Sequence, residues 1–164
     1  MDQRQDPIDY IERTRSQYDA LGYEPYTWVK HSAAPPWTAL SKPLNDMNIA
    51  LIASGGIYAH GQIAFHHKDD LSYRIIDTEI ESTQLRTSHF AYDMTPAREN
   101  INVVFPIDTL KTLAHQGIIR SLSRRAYTFM GGIYSARKVR DLLAPHLLKA
   151  LQEDEVDLAL LVPA

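Results

Sequence analysis

The sequence contains no cysteine. That excludes disulfides, thiolate nucleophiles and cysteine-ligated zinc from this chain. It also leaves the redox compartment unreadable from cysteine usage. No apolar run approaches the roughly 20 residues of a membrane-spanning helix. The opening MDQRQDPIDYIE has neither the basic start nor the apolar centre of a secretory signal. The expected location is therefore the cytoplasm, with no membrane partner. Positive charge is not in excess: a net charge of -3 argues against nucleic acid as a partner. Internal repeats and low-complexity tracts are missing too. What is present is 164 residues, 45% hydrophobic and 23% charged, the make-up of one globular domain with a real core.

Asp6 as cap, Pro7 in the first turn and Gly22 as a stop predict a helix over 6–22, with Ile8, Ile11, Tyr18 and Leu21 near one face. Residues 23–47 carry prolines 25, 35, 36 and 43, which exclude a long helix. Tyr23, Tyr26, Trp28 and Trp37 mark this stretch as an extended aromatic arm, laid over its own core or over a partner. The division expected is 1–47 for helix and arm and 48–164 for an α/β domain.

Within that domain, Ile49 to Ala53 lack polar alternation, as a strand buried on both faces would. Further strands are expected at 72–76, 126–130 and 157–162 and helices at 107–116 and 136–153, the last interrupted at Pro145. Strand, helix and strand over 126–162 form a βαβ unit. The fold class this implies is Rossmann-like, a doubly wound and mostly parallel sheet with flanking helices. The run Leu158–Val162 reads as its buried last strand. In such sheets ligands bind beyond the carboxyl ends of the strands.

Candidate site residues follow from that rule. Gly55 and Gly56 close the first strand and suggest close backbone approach to a ligand. They do not form the dinucleotide fingerprint, which needs G-x-G-x-x-G opening a helix. Residues 57–71 read as a loop above the sheet, in which His66, His67 and Asp70 are candidate pocket residues. Their spacing matches no defined metal motif, so no metal site is assigned, and a metal-dependent hydrolase is the weakest reading. His89 and Asp93 would share a face if their turn were helical, and a His–Asp pair fixes an imidazole tautomer for proton handling. Gly131, Gly132 and the N-cap Ser135 form a strand–glycine–helix turn that suits an anion. The cations Arg137, Lys138 and Arg140 oppose the dipole there, as they would beside a carboxylate, a phosphate or an acidic partner; the competing reading is a plain turn with a solvated basic face.

The stretches NIALIASGG (48–56), DDLSYRIID (69–77), SHFAYD (88–93), NVVFPIDTL (102–110), FMGGIYSARKVR (129–140) and VDLALLVPA (156–164) together resemble the selenoprotein B family of glycine, sarcosine, betaine and D-proline reductases. The smaller D-proline type is the nearest in pattern, and the resemblance runs from about residue 36 onward. It implies reductive cleavage of a C–N bond in a small amine or amino acid. A pyruvoyl group on a partner subunit captures the amine, and a selenocysteine or cysteine is the nucleophile. In the family that nucleophile follows the strand matching 157–162. The expectation is therefore a chain incomplete at its C-terminus, lacking the nucleophile after Ala164 and inactive alone. Other reductase subunits, or a second copy, are the expected partners. The competing reading is a non-catalytic binding or scaffolding relative that docks a partner through 23–47.

Overall fold

The computed structural model describes residues 9–24 and 32–164. Two compact units divide at Ala39 and Leu40. Expectations resting on Asp6, Pro7, Ile8, Tyr26 and Trp28 lie outside the described residues. In the first unit, helix α1 spans Tyr10–Ala20 and is capped by Asp9, whose carboxylate accepts the Glu12 N–H at 3.0 Å. Gly22 ends it with φ 71°. Ile11 and Leu21 are more than half exposed, and Trp37 is 88% exposed, so this aromatic covers no core.

The second unit is built on β1 (Asn48–Ala53), whose residues from Ile49 onward are all buried. Its side chains explain the missing alternation. Leu51 and Ala53 pack with Ile76, Phe105, Ile107 and Leu110 on one face, and Ile52 packs with Tyr127, Leu143, Leu147 and Ala150 on the other. Each such Leu or Ile contributes about 1.5–3 kcal/mol by leaving water. In chain order follow β2 (Ile57–Ala59), β3 (Tyr73–Asp77), β4 (Leu85–Thr87), α2 (Thr95–Glu99), α3 (Ile107–His115), β5 (Ser121–Leu122) and β6 (Arg125–Phe129). Then come α4 (Ala136–Lys138), a π turn (Val139–Leu143), α5 (Ala144–Glu153) and β7 (Leu158–Val162).

β1 pairs in parallel with β5 near its start, with β6 near its end and with β7 along its length, Ile49 opposite Leu158 through Ala53 opposite Val162. The sheet is not the mostly parallel one expected. β3 runs antiparallel to β6, from Tyr73 opposite Phe129 to Asp77 opposite Arg125, so the sheet is mixed. β3 is an edge strand with one wet face: Ile76 alone is fully buried and Ile75 is 40% exposed. β2, which lies inside the stretch 57–71 expected to be a loop, forms a separate antiparallel pair with β4.

β7 also departs from expectation. It is parallel as read, with β1 between it and β6, but it is not buried: Leu160 is 39% and Leu161 67% exposed, because β1 is its one strand partner among the described residues. The strand is fixed at its start by Asp157, which accepts the Asn48 N–H at 2.8 Å and meets Lys42 at 2.7 Å. The helix before it keeps its course through Pro145 by widening into the π turn. Pro145 lacks an N–H, and its ring would crowd the Asp141 carbonyl in an ordinary helix. Arg125 on β6 pairs with Asp154 at 2.6 Å, and Asp154 also accepts the Tyr127 hydroxyl, joining β6 to the end of α5. Burial, reinforced by that carboxylate, pushes the Tyr127 phenol well above its ordinary range.

Candidate functional site

The carboxyl ends of β1, β6 and β7 converge on Ser54. Its N–H donates to Val162, its carbonyl accepts the Gly131 N–H at 2.8 Å, and its hydroxyl accepts the Ala164 N–H at 3.0 Å. Gly55 and Met130 form an antiparallel bridge beyond the parallel ladder. The Gly55 carbonyl lies 2.8 Å from the Thr87 hydroxyl and 2.9 Å from the Tyr92 hydroxyl, which are 2.8 Å from each other. Gly56 has φ 70°, and a Cβ there would lie 2.1 Å from the Ser88 carbonyl oxygen. Only glycine lets the chain turn this close to the segment that carries Ser88 and His89.

His89 is the buried ring of the site, 3% exposed. It lies against Tyr92, centroids 4.8 Å apart, and stacks on Phe90 at 5.7 Å and 18°. Phe90 stacks in turn on Tyr134 and lies 6.0 Å from His67. Gly132 makes the room, since a Cβ there would meet the Phe90 ring at 2.2 Å. The Nδ1 of His89 accepts the Ala91 N–H at 3.0 Å, and among the described residues its Nε2 is the one buried side-chain nitrogen or oxygen without a partner. Burial, and then the nearby His67, pushes this imidazole below its ordinary range. Beside it, His67 Nε2 is 3.1 Å from the Ser88 hydroxyl at the surface.

The structure brings together Gly55, Gly56, Gly131, Gly132, His67 and His89. It does not join His89 to Asp93. Residues 88–94 form no helix, and Asp93 instead accepts the Thr95 N–H at 2.9 Å, which holds its carboxyl below the usual range. Asp70 shapes its own loop, accepting the N–H groups of His66 and Ser72; burial works to raise its carboxyl, and these bonds outweigh it. His66 turns its Nδ1 to the Lys68 N–H.

The glycine turn is not an open anion cradle. The N–H of Gly131 goes to Ser54, that of Gly132 to the Met130 sulfur and that of Ile133 back to Gly131. Ser135 caps Lys138 at 3.4 Å. Asp69, at φ 49°, accepts the Tyr134 N–H at 2.8 Å just before the helix, and Arg140 within it pairs with Asp141 at 2.7 Å. Thr87 and Phe90 were missed by sequence reasoning, as were the contacts that Tyr92 and Asp69 make. The signal for the first was faint, a three-residue alternation in which Leu85 and Thr87 face inward and Arg86 outward.

The model of the glycine/sarcosine/betaine reductase selenoprotein B family matches residues 25–164. The chain is similar to D-proline reductase subunit gamma of Acetoanaerobium sticklandii, 32% identical over 140 residues that cover 85% of this chain and 58% of the relative. It is also similar to glycine reductase complex component B subunit gamma of Symbiobacterium thermophilum, 29% identical over 147 residues, 84% of this chain and 34% of that one. The chain thus spans little more than half of the first relative and a third of the second. No solved structure matches it. Among the described residues no helix is long and apolar enough to cross a membrane. With a family match over residues 25–164, the chain belongs to the selenoprotein B family of glycine, sarcosine and betaine reductases.

Proposed function

We propose that this chain is the scaffold and substrate-facing part of a reductase component that cleaves a C–N bond in a small amine or amino acid, working with other reductase subunits. The observation that carries this is the convergence of three strand ends on Ser54, with His67, Ser88 and His89 gathered above them. Reaction needs a nucleophile of low pKa at that edge. The chain has no cysteine, so the selenolate or thiolate comes from outside these 164 residues, delivered beside Ala164. A pyruvoyl group on a partner subunit would supply the carbonyl that captures the amine. The surroundings suit an oxygen-bearing ligand: the edge holds the buried, unpartnered Nε2 of His89 and the surface hydroxyl of Ser88. The chain's own work is to orient. Thr87 and Tyr92 fix the Gly55 turn, and the aromatic rings keep water from its floor.

The test is the coding DNA beyond the Ala164 codon. An in-frame UGA or cysteine codon, followed by a cysteine-containing extension, is expected. A UAA or UAG stop with no downstream similarity contradicts a nucleophile placed beside Ala164 by this chain, and favours the non-catalytic scaffold.

A further inference from the structure

His89 has a fixed chemical character. A backbone N–H can only donate, so the Nδ1 that receives the Ala91 N–H at 3.0 Å carries no proton. A neutral ring then bears its proton on Nε2. That N–H is buried and unpaired, and leaving such a group unsatisfied costs about 1–3 kcal/mol. Buried unpaired donors are rare enough that each calls for an acceptor. Charging the ring would place a second proton on Nδ1 and break the bond to Ala91. His89 is thus badly suited to passing protons and well suited to donating one fixed hydrogen bond.

Of the two rings against His89, Tyr92 is anchored through its hydroxyl, whereas Phe90 has no polar side-chain atom to anchor it and is 42% exposed. Its ring occupies the place where any side chain at position 132 would be. We infer that His89 is a permanently neutral Nε2–H donor that receives a carboxylate oxygen of the ligand, and that Phe90, seated on Gly132, is the gate over it. This rests on the site proposed above and deepens it. His89 positions the ligand, and proton transfer falls to another group.

The test uses the full chain with 15N-labelled histidine and follows the His89 ring by NMR. Acetate is the probe and methylammonium the matched control. At pH 6.5, where an ordinary imidazole is half protonated, His89 is expected as the neutral Nε2–H form. Acetate should shift its Nε2 signal saturably and methylammonium should not. Gly132→Ala, which displaces Phe90, should speed solvent exchange of the Nε2 proton at least tenfold while the amide spectrum stays folded. Phe90→Ala gives the same reading if the alanine at 132 does not fold. A ring charged at pH 6.5, an Nδ1–H form, or an Nε2–H indifferent to acetate in wild type and gate variants overturns the inference. None of these readouts needs the redox group, so they fail independently of the reductase assignment.

Discussion

Gly56→Ala is the most severe small change the site admits. Two costs add. A non-glycine residue at φ 70° costs about 1–2 kcal/mol. The new Cβ would lie 2.1 Å from the Ser88 carbonyl oxygen, which must retreat by about 1 Å. That retreat breaks the 2.9 Å bond from the Ser88 N–H to the Gly56 carbonyl and strains the one from Gly56 to Phe129, about 1 kcal/mol each. The sum is about 3–4 kcal/mol. With unfolding entropy near 2 cal/mol/K per residue, that lowers the melting temperature by roughly 10–15 °C for a body of this size. Gly117→Ala is the control: its φ is also 70°, but nothing lies within 4 Å of the added Cβ. It should cost only the strain, about 1–2 kcal/mol. Thermal and urea unfolding of the two variants decide the matter. Equal melting shifts would refute the close approach of the Gly56 and Ser88 backbones.

Three further outcomes are expected. Asp154→Ala removes the near partner of the Arg125 guanidinium, leaving it Glu153 at 3.7 Å, and leaves the buried Tyr127 hydroxyl only the Ala150 carbonyl at 3.3 Å, which should cost about 1–3 kcal/mol in urea unfolding; an unchanged unfolding midpoint would contradict this. His89 is held below its unfolded pKa of 6.5, so the unfolded chain binds more protons and stability falls as pH drops below 6.5, by at most about 1.4 kcal/mol per pH unit. His89→Gln should remove that slope, and an unchanged pH profile of unfolding would contradict it. The open edge of β7 invites self-association, so the chain should form dimers or larger species in light scattering, and Leu161→Lys should reduce them; a monomeric wild type contradicts this.

What the sequence disclosed follows from how far each signal reaches. β1 was legible because the five residues Ile49 to Ala53 without polar alternation admit few readings, and α3 because Pro106 and Gly117 bracket an apolar stripe. The direction of β3 was not, because strand direction is set by the connection and not by the strand's own residues. The exposure of β7 was hidden for the same reason: LALLV has the same composition at a centre or at an edge, and only its neighbours distinguish them. In the site, the glycines and histidines were singled out by residue type. Their partners were not, since Asp69 reaches Tyr134 across 65 residues and Tyr92 reaches Gly55 across 37. The expected His89–Asp93 pair depended on a helix that the Asp93–Thr95 turn replaces.

The most direct measurement is made on the complex itself. The chain is tagged in its source organism, isolated with whatever it binds, and offered glycine, sarcosine, betaine and D-proline with a dithiol as reductant. The reductase account predicts co-isolated subunits and dithiol-dependent consumption of at least one of the four. A chain recovered alone, or a complex that consumes none of them, would contradict it.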